Sequence, residues 1–173
     1  MQIYKDTSFT LKDQHCVSLG LVGPEDRQRF LNGFERISTR TNINRFHTFK
    51  KRFTEQELRY LLVIDNHDHL AIGAVDCLQP EIGIGVARYV RSHEQHDTAE
   101  AAIVVIDEYQ GKGLGTTLYT ELMHLARHNG IRYLHNIVGK DNRGMLALLK
   151  KLNAYKLSED VQDYELVVNT DRQ

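Results

Sequence analysis

The 173 residues carry 22 Lys and Arg against 23 Asp and Glu, for a formal net charge of -1, with 41% apolar and 26% charged residues. That balance gives no general electrostatic grip on nucleic acid or an anionic membrane, and the length suits one compact domain over residues 1–173 rather than two. No apolar run approaches the roughly 20 residues that span a bilayer. The stretch Met1–Phe9, with Lys5 and Asp6, lacks the apolar centre of a signal peptide, so the expected location is the cytoplasm.

In chain order, His15–Val22 is apolar enough for a first strand, and Gly23-Pro24-Glu25-Asp26 then opens a helix, since Pro at the start and acids in the first turn both favour one. Phe30, Leu31, Phe34 and Ile37 follow at helical spacing, and the polar run Ser38–Asn44 reads as a loop. Thr54-Glu55-Gln56-Glu57 has the form of a capping box before a short helix through Tyr60, and Leu61–Ile64 fits either the end of that helix or a short strand. Leu70–Leu78 and Ile82–Arg91 read as an antiparallel pair joined through Gln79-Pro80-Glu81. Ala101–Ile106 is apolar without alternation, as a central strand covered on both faces would be.

Asp107–Gly115 is a glycine-rich turn, and Leu114, Leu118, Leu122, Leu125 and Ala126 then mark an amphipathic helix ending near Asn129-Gly130. A strand over Ile131–Val138, a helix from about Asn142 to Leu152 and a strand over Tyr164–Val168 complete a mixed α/β (α+β) pattern. Cys16 and Cys77 have no CxxC spacing. In a reducing compartment they are expected as small buried apolar residues rather than as a disulfide or a nucleophile. The pairs His124/His128 and His67/His69 lack acidic or cysteine partners at ligand spacing, so no metal is expected. Phe46, Phe49 and Phe53 are expected in the core or a lid, with an acceptor pocket as the other reading.

The chemistry lies in Gln110-Gly111-Lys112-Gly113-Leu114-Gly115-Thr116. Its glycines permit a tight strand-to-helix turn and leave the amides unobstructed, and amides at the positive end of a helix suit a diphosphate. Lys112 adds a charge and Thr116 a hydroxyl. A dinucleotide fingerprint fails because Thr116 stands where its third glycine belongs, and a P-loop fails because Gly113 follows Lys112. The pattern [Gln/Arg]xxGx[Gly/Ala] fits as Gln110, Gly113 and Gly115.

That pattern resembles the acetyl-CoA-binding signature of the GNAT superfamily of N-acetyltransferases. The runs Gly23-Pro24-Glu25-Asp26, Asn44-Arg45-Phe46, Gly85–Val90 and Ala99-Glu100-Ala101 are similar to the bacterial protein lysine acetyltransferases that modify acyl-CoA synthetases. The resemblance implies a single GNAT-like domain with a mixed, mostly antiparallel sheet. Its central strand splays from a neighbour to admit the pantetheine arm. Acetyl-CoA is implied as donor, with a protein lysine or a small amine such as a polyamine as acceptor. It implies cofactor contacts at Val105, Gln110, Gly111, Lys112, Gly113, Leu114, Gly115, Thr116 and Asn142. The Val105 amide is the expected oxyanion donor and Glu100 the expected general base, working through water.

A base is needed because a free lysine titrates around 10.4. The bland alternatives are that Glu100 pairs with Arg88 or Arg91, and that Asn142 only caps its helix. The family's tyrosine acid, seven residues after the asparagine, falls on Leu149; Tyr155 lies further on, and a thiolate leaves readily without an acid. A non-catalytic CoA sensor is the reading from a different class.

Overall fold

The computed structural model describes residues 7–171, so Lys5 and Asp6 lie outside the described residues. Eight strands form one sheet: β1 (Thr7–Thr10), β2 (Cys16–Leu21), β3 (His69–Asp76), β4 (Gln79–Arg91), β5 (Thr98–Val105), β6 (Tyr133–Gly139), β7 (Tyr155–Glu159) and β8 (Asp163–Asn169). Their order is β1-β2-β3-β4-β5-β6-β8-β7. Neighbours run antiparallel except β5 and β6, which are parallel because α4 (Leu114–His128) crosses between them. The helices α1 (Arg27–Phe34), α2 (Thr39–Phe46) and α3 (Glu55–Leu62) come between β2 and β3, and α5 (Arg143–Lys151) follows β6.

Two packed layers cover the sheet. On one face α4 buries Leu114, Leu118 and Leu122 at every fourth position, with Tyr119, Met123 and Ala126 beside them, against Leu19, Ile72, Ala87 and Leu134. Each fully buried large side chain in that row is worth roughly 1.5–3 kcal/mol of transfer free energy. On the other face Leu58 and Leu62 of α3, with Phe30 and Leu31 of α1, pack on Val22, Ala71 and Val86. The α1 helix approaches β4 so closely that a Cβ on Gly33 would collide with the Gly83 carbonyl oxygen.

The structure revises the sequence reading at several points. Ser38–Asn44 is not a loop: Ser38 caps α2 by accepting the Thr41 amide at 3.2 Å. This polar helix is held from outside, since Asp107 takes the Ser38 amide (2.8 Å) and the Ser38 and Thr41 hydroxyls (2.6 and 3.0 Å), and buried Asn42 bonds both backbone groups of Lys50 (2.8 Å each). Leu61 and Leu62 end α3 rather than form a strand. Gln79, Pro80 and Glu81 already belong to β4, so the hairpin turn is Cys77-Leu78. β1 has one large apolar residue, Phe9, and the edge strand β7 is short with every residue exposed, so neither stands out as a strand.

Cys16 and Cys77, expected as free thiols, form a disulfide with a Cα–Cα distance of 5.5 Å. The cause is register: Val17 lies opposite Asp76, which brings Cys16 beside Cys77 across β2 and β3, 61 residues apart in sequence. The distance is within the range that a disulfide spans.

Candidate active site

The central feature is a slot between β5 and β6. Their pairing covers Thr98–Tyr133, Ala99–Leu134 and Glu100–His135, whereas β5 stays paired with β4 as far as Val105–Gly85. Beyond Glu100 the two parallel strands part. The Ile106 amide donates to the Ile84 carbonyl at 3.0 Å, and hydrogen-bonded rungs of an antiparallel pair alternate. Residues 104, 102 and 100 therefore bond to β4, and the backbone groups of Val105, Ile103 and Ala101 point toward the slot. The Val105 and Ile103 side chains pack into the core on the α4 side.

At the far end of β5 the chain turns into α4. Gly111 and Gly113 adopt φ of 73° and 102°, conformations that an L side chain rarely takes. A Cβ on Gly111 would meet nothing within 4 Å, so the surface in front of the loop is open. The first intrahelical bond runs from the Thr117 amide to the Gly113 carbonyl at 3.1 Å, so the amides of Leu114, Gly115 and Thr116 precede the ladder at the positive end of a 15-residue helix. Leu114 is fully buried and anchors the turn. A Cβ on Gly115 would lie in ordinary contact, 3.9–4.0 Å, with Ile103, Val105 and Leu148.

The loop is tied down on three sides. Gln110 Nε2 donates to the Val105 carbonyl (2.9 Å) and to Thr41 of α2 (3.1 Å). The buried Tyr109 hydroxyl donates to Asp76 at 2.7 Å, and burial followed by that carboxylate pushes its pKa up to about 12. Lys112 sits over the Tyr109 ring at 5.1 Å and pairs with Asp13 at 2.7 Å; its hydrogen bond is the main reason that Asp13 titrates near 2. The Lys112 ammonium thus braces the loop against the β1–β2 hairpin. Lys12 on that hairpin lies 3.9 Å from the Cβ position of Gly113, a neighbour no sequence pattern marked.

Glu100 is exposed, on the last paired rung before the slot opens. Neither arginine considered for it is its partner. Arg91 binds Asp68 at 2.6 Å, and Arg88 donates to the Leu61 carbonyl and to His69 Nε2, both at 3.2 Å. The charge nearest in effect is Arg45 of α2, whose pKa burial lowers and Glu100 partly restores. Asn142 caps α5, accepting the Met145 amide at 3.2 Å. Leu149 is fully buried, and Tyr155 lies on β7, separated from the slot by β6 and β8.

Phe46 and Phe53 join Phe34 and Phe30 in an edge-to-face cluster, with centroids of 4.6 Å for Phe34–Phe53 and 5.6 Å for Phe46–Phe53, while Phe49 is 59% exposed. Between that cluster, α1 and the sheet lies a cavity of about 300 Å³, walled by Phe30, Phe34, Phe46, Val86 and Val104, with Glu25, Asp26 and Arg29 also on its boundary. Among the described residues no three His, Cys, Asp or Glu side chains gather as a metal would need, and no helix is long and apolar enough to cross a membrane.

A parallel strand pair that parts over a glycine-rich helix start is the arrangement that the family comparison bears on. The model of the acetyltransferase (GNAT) family matches residues 33–154, well over half of the chain. The chain belongs to the GNAT acetyltransferase family. It is 34% identical over 81% of its length to the acetyltransferase Pat of Mycolicibacterium smegmatis, of which it spans 41%, and 31% identical over 79% of its length to the acetyltransferase PA5475 of Pseudomonas aeruginosa, of which it spans 73%.

Its fold superposes on the GNAT domain of S. lividans PAT with a TM-score of 0.87 at 20% identity, covering 94% of this chain and 96% of that one. It also matches a cAMP-binding acyltransferase from Mycobacterium smegmatis with a TM-score of 0.67 at 26% identity, covering 96% of this chain and 48% of that one. The expected fold, a mostly antiparallel sheet with one strand parting from its parallel neighbour, is the one observed.

Proposed function

We propose that this GNAT domain acetylates a protein lysine, with Glu100 as general base. The supporting observation is the position of that carboxylate: Glu100 is exposed on the rung where β5 leaves β6, at the opposite end of the slot from the Gln110–Thr116 turn. In this reading the amides of Gly111–Thr116, with the Thr116 hydroxyl, hold the diphosphate of acetyl-CoA. The pantetheine arm lies in the slot against the backbone of β5, with Val105 the first strand amide it meets. Asn142, beyond its capping role, contacts the arm or a bound water.

The amine nitrogen forms its bond to the thioester carbonyl carbon while Glu100, through water, takes the amine proton. The carbonyl oxygen gains charge and is met by a strand amide, after which the carbon–sulfur bond breaks and CoA leaves as thiolate. Glu100 and Val105 are five residues apart, roughly 17 Å along an extended strand, whereas Ile103 also faces the slot and stands roughly 10 Å from Glu100. We therefore assign Val105 to the arm together with the oxyanion role first expected of it, and add Ile103 as a second amide available to the oxyanion. With Leu149 buried, thiolate departure needs no protein acid.

The cavity beneath α1 favours a second reading, acetylation of a small amine held within its walls. Location in the cytoplasm, where acetyl-CoA is available to such an enzyme, completes the proposal. Release of CoA thiol with a panel of lysine peptides and small amines tests it. Glu100→Gln is expected to lower kcat by about 100-fold or more, with the residual rate climbing as the amine itself deprotonates at high pH. Full activity of Glu100→Gln at every pH removes the base assignment, and acetyl-CoA binding without turnover of any amine favours a sensor.

A further inference from the structure

The segment 39–54, which comprises α2 and the chain leading to α3, contains Arg40, Arg45, Lys50, Lys51 and Arg52 and no Asp or Glu, in a protein whose net charge is -1. Its helix α2 rests along β5, with Thr41 bonded to Gln110 and Asp107 at one end of the site and Arg45 feeling the Glu100 charge at the other. Lys50 is answered by Glu57 at 2.5 Å, and Arg40 reaches the Asp141 carbonyl at 3.4 Å. Lys51 and Arg52 are exposed, and between these cations Ile43 and Phe49 leave 43% and 59% of their surface open.

Behind the segment stands a second anomaly. Arg88 on β4 is 5% exposed, and its bonding partners, the Leu61 carbonyl and His69, are not carboxylates. Its Nη2 is buried with no hydrogen-bond partner. Burial, and next to it the Arg45 charge, lower the Arg88 pKa to about 10. Burial thus works against the charge of both guanidinium groups; Glu100 offsets it in part at Arg45, and a buried charge without a counter-charge, as at Arg88, is costly.

We propose that this lip, with Arg88 behind it, receives an acidic protein segment, so that the lysine presented to Glu100 is flanked by Asp or Glu. Flanking carboxylates meet Arg45, Lys51 and Arg52, and Phe49 gives the segment an apolar contact at the rim. An eight-residue helix is roughly 12 Å long, and with the chain that follows the lip outreaches a single amino acid, which is why a peptide is the expected occupant. The inference rests on the protein-lysine reading above and refines its acceptor.

Calorimetric titration tests the lip without depending on catalysis. The full chain with CoA is titrated with octapeptides carrying a central N-acetyl-lysine, flanked either by Asp and Glu or by Asn and Gln. The acidic peptide is expected to bind at least tenfold more tightly at low ionic strength, an advantage that shrinks as salt screens the exposed cations. Arg45→Gln, or Lys51→Gln together with Arg52→Gln, is expected to bring the ratio of the two affinities to within about twofold. Lys51 and Arg52 are exposed, so the double substitution reads the lip without disturbing the fold. Equal binding of the two peptides, a preference for basic flanks, or free glutamate binding as tightly as the acidic peptide overturns the proposal. Turnover of the matching unacetylated peptides is read separately: acidic preference in binding without any turnover keeps the docking surface and removes lysine acetylation.

Discussion

His69 shows how one half-buried side chain can make the stability of the fold depend on pH. Burial first, and then the neighbouring Arg88 charge, hold its pKa near 4 against an ordinary 6.5, because the neutral ring accepts a hydrogen bond from Arg88 Nη1. The unfolded chain therefore binds this proton more readily than the folded one. The contribution of His69 to stability is complete above pH 6.5 and is lost as pH falls from there toward 4. Since the ring is only half-buried, the loss is expected to be about 1–2 kcal/mol rather than the full value implied by the shift. Chemical denaturation of wild type and His69→Gln between pH 7 and 4 measures it; the glutamine keeps an acceptor for Arg88, and its curve is expected to be flatter across that window. A similar logic at Tyr109 serves position rather than pH. Its bond to Asp76 pins the glycine turn to β3, a contact that no local pattern around residue 109 announces.

Among the elements, α4 carries the donor side of the proposed site and α2 its proposed acceptor side, and the two are unequally legible in the sequence. The α4 helix follows from its own sequence, with glycines before it, leucines at every fourth position and Asn129-Gly130 after it. Gly113 at φ 102° is where that start is most exposed to change. Gly113→Ala is expected to cost about 1–2 kcal/mol in strain and to weaken acetyl-CoA roughly tenfold, by crowding the surface beside Lys12 where a diphosphate would lie. Thermal unfolding and equilibrium binding measure the two effects separately.

The helix α2 reads as a loop because Ser38, Thr39, Thr41, Asn42 and Asn44 have weak helix propensity, and the groups that hold it, Asp107 and the Lys50 backbone, are distant in sequence or outside any helical period. The Gln110–Thr116 turn could be singled out from sequence by residue type and spacing, and Glu100 by its place in the family resemblance. Arg45 entered only as part of a resemblance, and Arg88 as that and as a partner for Glu100 which the structure does not give it, since a charged residue shows its neighbours only once the helix and strands are packed.

At the scale of the molecule, the sheet is one continuous surface whose strands differ in how they are secured. The Cys16–Cys77 bond closes 61 residues, including α1, α2 and α3, so it constrains the unfolded chain over the whole acceptor half. Chain-entropy reasoning puts its contribution at roughly 4 kcal/mol at most. Cys77→Ser, or reduction of the wild type, is expected to lower the unfolding free energy by about 2–4 kcal/mol. The donor turn is expected to keep its acetyl-CoA affinity in the folded fraction, because the disulfide joins the start of β2 to the β3–β4 turn and is not part of the glycine turn itself. Denaturation curves with and without reductant, paired with acetyl-CoA titration, check both parts.

What the sequence determined by itself was a glycine turn suited to a diphosphate and the order of elements around it: Gln110, Gly113 and Gly115 between an apolar strand and an amphipathic helix are local facts, fixed by backbone freedom and by period. What the tertiary structure decided was everything that depends on which strands lie side by side. The slot exists because β5 stays with β4 to Val105 but leaves β6 after Glu100, the disulfide because β2 and β3 share a register, and the basic lip because α2 folds over Glu100. Register and burial arise from contacts far apart in sequence, and periodicity within a segment holds no record of them.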